Sequence, residues 1–369
     1  MSLSTTALRL FVGEMPKAEL HVHLDGALRI GTALRLAAER GIPAPTTFAA
    51  MAQALVAPDD PRTEADVLAH FELPVRLMQD ADALAVVTRE LIEAKAADGV
   101  RYLEIKWAPI LHTRAGLRVE DVLEAVCVAA DVASRASGTV VRLVPVAVRS
   151  QPIADAVALA EAAVAWRDRG VAGFDLAGSE AEWPDPRPFA PAFDVARRGG
   201  LGITLHAGDL PGRSDLVRLA LDLRPHRIAH GVAAADDPEL CDLLRERSVT
   251  LDLCPTSNVQ SGSVTGPAAH PVARLHRAGV PVTISTDDPT ISAVTLGREL
   301  VRTAEATGLR ADELWAINLR ALDAAFAPPE VIGPLRDEFR AWARAIPDIA
   351  RGYPASTWRT ACVRCPGMG

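Results

Sequence analysis

Eight short apolar runs rich in β-branched residues recur along the chain, and longer stretches of helical periodicity separate them. This alternation is typical of parallel strands joined by helices, because parallel neighbours need long crossover connections. Eight strands, each followed by a helix, predict a closed (β/α)₈ TIM barrel rather than an open sheet. The runs are Glu19–Leu24, Arg101–Trp107, Val141–Val148, Val171–Gly178, Leu201–Gly208, Arg227–Gly231, Thr250–Thr256 and Pro281–Asp287.

The segments between the later runs have clear helical patterns, and several of them end in glycine. These predicted helices are Val119–Ser134, Ile153–Arg169, Phe189–Arg198, Ser214–Asp222, Pro238–Arg247 and Val272–Ala278.

The first connection is much longer than an ordinary βα loop. From Asp25 to Gly99 it holds about three helical patterns, so residues 25–100 are predicted to form a helical lid inserted at the barrel mouth. A helical tail, Thr295–Phe326 and Pro334–Ala345, follows the last strand. With no internal repeat or linker, the sequence favours one barrel domain over residues 1–369, including a tail at 346–369.

Composition excludes several classes of function. The chain has 369 residues, 49% of them hydrophobic, and a net charge of −8 without a stripe of Lys or Arg, so a polynucleotide partner is not expected. No 18 apolar residues run together and Ala7–Val12 lacks a basic leader, so we expect no membrane association and a cytoplasmic protein. Five cysteines argue against a disulfide framework, and the pair Cys362 and Cys365 is interpreted as part of a frayed tail.

Polar side chains stand at the carboxyl ends of four predicted strands, where enzymes with this barrel carry their active sites. They are His21 and His23 in the first strand, His206 in the fifth, His230 in the sixth, and Asp287 with Asp288 in the eighth.

His21 and His23 are two residues apart in a strand, so both side chains face the barrel interior. Barrel closure would bring His206 and Asp287 beside them. Three neutral imidazoles and a carboxylate suit Zn²⁺ and leave one position for water, so we expect one zinc ion per chain. If these four residues had only a structural role, four polar side chains would be buried at one end of the barrel at a high cost in free energy. His230 is then the best-placed base to orient the water.

Residues 16–27, P-K-A-E-L-H-V-H-L-D-G-A, resemble the opening signature of the adenosine deaminase family. The likeness continues in the same order through D-L-A-G at 175–178, H-A-G at 206–208, H-G at 230–231, C-P-T-S-N at 254–258 and S-T-D-D-P at 285–289, and it covers about residues 15 to 345. The H-x-E and P-C-x-x-C signature of cytidine-type deaminases is absent.

The resemblance implies the same four zinc ligands and attack of hydroxide at C6 of adenosine, with loss of ammonia to give the 6-oxo purine nucleoside. His230 and Asp287 would steer the hydroxide. Asp288 would bond the purine N7, the N–H of Gly178 would bond N3, and Asp25 would receive the ribose 5′-hydroxyl.

One departure from the family affects the chemistry. Asp209 stands where the family has the glutamate that protonates the ring N1. The side chain of Asp209 is shorter by roughly one carbon–carbon bond, whereas a proton donor must lie within about 2.6–3.2 Å of its acceptor. Either the substrate sits deeper, or adenosine is turned over poorly, or the substrate differs.

The lid also departs from the family, which usually has two aromatic residues there at helical spacing. In residues 64–71 only Phe71 is aromatic, expected against the substrate, while Glu64 and Val67 occupy the same stretch. Glu64 either faces water or belongs to a pocket for a more polar or smaller ligand. Ser179 replaces an acid common in the family at the same mouth.

The first hypothesis is therefore a zinc hydrolase that deaminates an amino-purine nucleoside. A second is a hydrolase with the same site acting on another amino-heterocycle or a cyclic amide. A third, from a different class, is a binding protein that keeps the metal and has lost turnover. The oligomeric state and the pathway stay open.

Overall fold

The computed structural model describes residues 3–60 and 63–346. Eight parallel strands follow one another in sequence order around a single sheet. They are β1 (Lys17–His23), β2 (Val100–Trp107), β3 (Val140–Val148), β4 (Gly173–Ala177), β5 (Gly202–Ala207), β6 (Arg227–His230), β7 (Thr250–Leu253) and β8 (Val282–Ile284).

Main-chain hydrogen bonds between β1 and the segment after β8 close the ring. The amide of His23 donates to the carbonyl of Asp287 at 2.7 Å, and the amide of Asp287 donates to the carbonyl of His21 at 3.1 Å. The predicted TIM barrel is confirmed, and the same bonds fix Asp287 beside the two histidines of β1.

Helices surround the barrel and begin or end at local capping signals. The Asp80 carboxylate, for example, accepts the amide of Ala83 at the start of α6. The helices are α1 (Thr5–Glu14), α2 (Ile30–Arg40), α3 (Phe48–Leu55), α4 (Glu64–Leu68), α5 (Glu72–Leu77), α6 (Ala81–Ala97), α7 (Val119–Ser137), α8 (Ile153–Ala165), α9 (Ala190–Arg198), α10 (Ser214–Leu221), α11 (Pro238–Glu246), α12 (Pro255–Gln260), α13 (Val272–Arg277), α14 (Leu296–Thr307), α15 (Ala311–Asp323) and α16 (Pro329–Arg344).

The insertion after β1 holds more helices than the sequence predicted. Four short helices, α2 to α5, precede α6, which packs against α7 and β2 in the outer ring of the barrel. The estimate of about three was wrong because α4 and α5, at five and six residues, are too short to show a helical period. A helical insertion at this place is confirmed.

Two other boundaries differ from the sequence prediction because of proline. The seventh strand ends at Leu253 and not at Thr256, since Pro255 occupies the first turn of α12, where its missing N–H costs nothing. The last helix begins at Pro329 for the same reason, and Pro334 lies inside it.

A buried charged cluster closes the amino end of the barrel. Arg227 contacts Asp252 (Nε to Oδ2, 2.8 Å) and Glu104 (Nη2 to Oε2, 2.5 Å), and its guanidinium lies 3.7 Å from the ring centroid of Phe326. Phe326 packs so tightly on Gly202 that a Cβ there would lie 2.3 Å from the ring. This floor leaves the carboxyl ends of the strands as the open face of the barrel.

No helix of the described residues is long and apolar enough to cross a bilayer. Cys127, Cys241 and Cys254 are free and buried, whereas Cys362 and Cys365 lie outside the described residues.

Candidate active site

The carboxyl ends of β1, β5 and β8 bring four polar groups into contact. Nε2 of His23 lies 3.1 Å from Nε2 of His21 and 3.2 Å from Nε2 of His206. Oδ1 of Asp287 lies 2.9 Å from His21 Nε2 and 3.5 Å from His23 Nε2. These separations are close to the edge of a tetrahedron of ligands around zinc, which is about 3.4 Å for bonds of about 2.1 Å.

His230 lies on the other side of the Asp287 carboxylate, with Nε2 3.8 Å from Oδ2. One ligand atom from each of His21, His206, His230 and Asp287 also falls within 4.8 Å of the others, so His230 is a geometric candidate for a ligand. The shorter distances favour His23, because its Nε2 contacts two imidazole nitrogens directly while His230 stands apart.

Unusual backbone conformations aim two of these side chains. His230 (φ 65°) and Asp287 (φ 61°) both lie in the left-handed region, which costs non-glycine residues of order 1–3 kcal/mol. His230 is the last residue of β6, and Asp287 lies shortly after the end of β8, where main-chain hydrogen bonds to β1 hold it in place. Strain of this kind is typical of residues whose side chains must point in one direction.

The outer nitrogen of His206 is held by a buried ion pair. Nδ1 of His206 lies 3.2 Å from Oδ1 of Asp175, and Lys106 Nζ lies 2.9 Å from Oδ2 of the same carboxylate. Because Asp175 accepts the Nδ1 proton, Nε2 of His206 presents a lone pair to the cluster. Neighbouring lone pairs repel one another unless a cation lies between them, so this donor set fits a metal ion.

The protonation states agree with that fit. Burial lowers the pKa of His21 well below its usual value, lowers that of His23 to about 4 and lowers that of His206. Burial opposes ionisation of Asp287, but His21, His230 and His23 together outweigh it and hold the pKa of this carboxyl well below its usual range. Neutral imidazoles and an ionised carboxylate are the forms that bind zinc.

Asn258 joins two candidate catalytic groups. Its side-chain nitrogen donates to Asp209 Oδ1 at 2.7 Å and lies 3.2 Å from Nδ1 of His230. Its oxygen faces the Cys254 amide at 3.3 Å and Nε2 of His270 at 3.2 Å. Both ends of the amide are therefore fixed.

Asp209 has a second partner in Ser263, whose hydroxyl donates to Oδ1 at 2.5 Å. The Asp209 carboxylate is thus held toward Asn258 and Ser263 and is only partly exposed.

Asp288 and Gly178, two of the residues expected to bind substrate, offer unused hydrogen-bonding groups. Oδ1 of Asp288 is buried and has no partner within residues 3–60 and 63–346. Asp288 packs so closely on Gly26 that a Cβ there would lie 2.0 Å from Oδ1. In the described part of the chain the N–H of Gly178 (φ 112°) meets no acceptor either.

Asp25 differs from this pattern because both of its carboxylate oxygens are engaged. Oδ1 lies 2.5 Å from Nε2 of His112, and Oδ2 accepts the amide of Ala108 at 3.1 Å. His112 is itself buried, with Nδ1 at 2.8 Å from the carbonyl of Met78.

The lid closes over the mouth through a small apolar cluster. Val67 packs with Ala57 and Ile291, and Phe71 lies against them. Glu64 does not simply face water, since its carboxylate accepts the Ser179 hydroxyl at 2.8 Å and the Glu180 amide at 3.0 Å.

The structure therefore brings together all the polar residues that the sequence placed at the strand ends, and it adds others that the sequence analysis missed. These are Lys106, His112, Glu180, Ser263 and His270, with Asp175 and Asn258, which lay in motifs without an assigned role. Among them, only Lys106 and Asp175 carried a signal in the sequence, as charged residues within apolar strand segments.

Comparison with known proteins covers the whole barrel. Residues 16–342 match the family model described as adenosine deaminase. An adenosine deaminase of Mycobacteroides abscessus is 38% identical over 334 residues, which cover 86% of this chain and 92% of that protein.

Two solved structures are also similar. An amidohydrolase from Burkholderia ambifaria with bound zinc matches with a TM-score of 0.84 at 27% identity, covering 96% of this chain and 97% of its own. An adenine deaminase from Arthrobacter aurescens matches with a TM-score of 0.82 at 25% identity, covering 89% of this chain and 99% of its own. The residues that match the family model, 16–342, include every candidate site residue.

Proposed function

The chain belongs to the adenosine deaminase family, and from that premise we propose that it is a zinc-dependent hydrolase that releases ammonia from an amino-purine nucleoside or a close relative. The observation that carries the proposal is the convergence of His21, His23, His206 and Asp287 at contact distance on the open face of the barrel.

Zinc fits this site for the reasons of geometry and protonation given above, and the similar amidohydrolase binds it. When bound, zinc lowers the pKa of water and so supplies hydroxide near neutral pH. His21, His23, His206 and Asp287 would hold the ion. Asp175 and Lys106 would keep His206 in the tautomer that binds metal.

The remaining residues act on the substrate. His230 and the free oxygen of Asp287 face each other at 3.8 Å and would orient the attacking oxygen toward C6. The unpartnered Asp288 carboxyl and the Gly178 N–H would bind the purine at N7 and N3. Phe71 and the apolar lid cluster would exclude water.

Asp209 would donate a proton to the ring nitrogen N1 as oxygen adds to C6. The addition leaves a tetrahedral carbon, the bond from C6 to the amino group breaks, and the amino group departs as ammonia with the proton that the added oxygen gives up. Asn258 and Ser263 both donate to Asp209 Oδ1, which leaves Oδ2 to carry the proton.

A second candidate is hydrolysis of a different amino-heterocycle or of a free base at the same site. Two observations favour it. Asp209 is shorter than the glutamate of the family, and Asp25, the expected partner of a ribose 5′-hydroxyl, already contacts His112 and Ala108. A binder without turnover is disfavoured, because it has no use for His230 beside a metal site.

The test is ammonia release by zinc-loaded protein from a panel of adenosine, adenine, AMP, other amino-purines and amino-pterins. We expect turnover of at least one amino-purine nucleoside or nucleotide, and we expect His230→Ala to abolish it. Absence of release from every compound, with zinc shown to be bound, would contradict the proposal. Turnover of adenine alone or of pterins alone would favour the second candidate.

A further inference from the structure

The lid and the loop that carries Asp209 are joined by a relay of two carboxylates. Glu64, the first residue of α4 in the lid, accepts the Ser179 hydroxyl (2.8 Å) and the Glu180 amide (3.0 Å). Both partners lie in the loop that follows β4. Two hydrogen bonds therefore hold the lid to this loop, one from a side-chain donor and one from a main-chain donor of the loop.

Glu180 passes the connection on to the loop after β5. Its side chain accepts the Gly208 amide through Oε1 and the Asp209 amide through Oε2, both at 2.9 Å. Glu180 is 2% exposed, so water does not compete for these bonds. Arg149 lies 3.7 Å from Oε1 and donates to the carbonyls of Trp183 and His206.

These two amides determine where Asp209 points. Gly208 has φ 77°, and a Cβ there would lie 2.3 Å from the Val217 side chain, so the chain turns sharply in a crowded space. Glu180 binds both amides of that turn. A displacement of Glu180 must therefore change the direction in which the Asp209 side chain points.

We propose that Glu64 is a positioning residue, which places Asp209 for proton donation only when the lid is closed. The proposal rests on the proposed function, in which Asp209 is the proton donor. The helix that carries Glu64 also carries Val67 to the cluster with Ala57 and Ile291, so the motion that admits substrate must break the contacts of Glu64. Closure over a substrate then aligns its proton donor.

Two departures from the family, Glu64 in the lid and Ser179 in the loop after β4, therefore meet in one contact. Position 179 has a serine where an acid is common in the family. The carboxylate of this contact comes instead from Glu64 in the lid, which accepts the Ser179 hydroxyl. The acid now belongs to the lid instead of the barrel, which makes its effect depend on the position of the lid.

The first test measures the relay without any substrate. Amide hydrogen exchange is followed in zinc-loaded protein for wild type, Glu64→Ala and Glu64→Gln, with Glu72→Gln as control because Glu72 is an exposed acid of the same lid. We expect Glu64→Ala to speed exchange at Gly208 and Asp209 by about tenfold or more. Glu64→Gln keeps an acceptor for Glu180 and should stay near wild type. Unchanged exchange at residues 208–209 in Glu64→Ala would overturn the coupling.

The second test is a double-mutant cycle on turnover of the best substrate. We expect Glu64→Ala to lower kcat by about ten- to a hundredfold, the range for lost hydrogen bonds to a charged group, and Glu64→Gln to restore most of it. In an Asp209→Ala background the same change should cost almost nothing, because the group it positions is gone. An equal loss of kcat in both backgrounds would show that Glu64 acts independently of Asp209, and it would refute the proposal.

The two proposals can fail separately. If Asp209→Ala alone leaves kcat unchanged, the proposed role of Asp209 is wrong, while hydrogen exchange at residues 208–209 still decides whether Glu64 positions that loop.

Discussion

The side-chain nitrogen of Asn258 lies 2.7 Å from Oδ1 of Asp209 and 3.2 Å from Nδ1 of His230. It thus joins the proposed proton donor to the residue proposed to orient the attacking oxygen. Its orientation is fixed from behind, because the Cys254 amide and His270 face its oxygen. The Val272 amide donates to Nδ1 of His270, so Nε2 of that ring carries the proton toward Asn258.

Asn258→Asp should therefore impair catalysis without loss of metal. The change replaces the NH₂ group with a carboxylate oxygen. This oxygen repels the Asp209 carboxylate and can no longer donate a hydrogen bond to Nδ1 of His230. We expect kcat to fall by about 10²–10³, comparable to loss of a general acid or base. Steady-state kinetics and metal analysis of the same preparation check it. Loss of zinc together with activity would show that Asn258 supports the metal ligands instead.

Zinc should be present at one ion per chain, and only variants of the proposed ligands should lose it. His21→Ala and Asp287→Ala should lose the ion and the activity, since each removes a contact of about 3 Å from the cluster. His230→Ala should keep zinc and lose orders of magnitude in kcat. The measurement is elemental analysis of purified protein never exposed to chelator. Zinc loss in His230→Ala equal to that in His206→Ala would identify His230 as a ligand.

The barrel and the centre of the site could be predicted because they depend on local periodicity. Alternation in β1 places His21 and His23 on one side of the strand, and the fold brings His206 and Asp287 to them. Strand ends were less exact where a turn residue intervened, as at Pro255.

The contacts around the site could not be predicted, because each joins residues distant in sequence through loops whose paths are set by packing. Asp25 and His112 are 87 residues apart, and Glu64 and Ser179 are 115 apart. From the sequence alone Glu64 could either face water or belong to a pocket for a more polar or smaller ligand. Only the position of the lid against the β4 loop assigns it a partner.

Glu299 should make the stability of the protein depend on pH. Burial raises the pKa of this carboxyl to about 7, although it accepts the amide and hydroxyl of Thr256. The folded state therefore keeps a proton that the unfolded chain loses above about pH 4.5. The free energy of unfolding should fall as pH rises from about 4.5 to about 7, by up to about 1.4 kcal/mol per pH unit.

Glu299→Gln removes that titration and provides the control. Denaturant unfolding at a series of pH values should give a wild-type curve that drops relative to the variant between pH 4.5 and 7 and runs parallel to it above. Parallel curves over the whole range would mean that Glu299 is ionised in the folded protein from low pH.

The identity of the substrate depends most on Asp209. Its carboxylate is held back by Asn258 and Ser263, so we expect wild-type protein to turn adenosine over slowly. Asp209→Glu adds one methylene and extends the acid toward the position of the purine N1, where only a donor within hydrogen-bond reach can act in the transition state. We expect kcat/KM for adenosine to rise in this variant and that for the preferred substrate to fall, because the longer side chain crowds a pocket shaped around aspartate. Parallel kinetics on adenosine and on the best compound of the panel measure both. A wild type already in the usual enzyme range of about 10⁴ M⁻¹s⁻¹ or above for adenosine, and damaged by the glutamate, would show that this aspartate does not mark a shift away from adenosine.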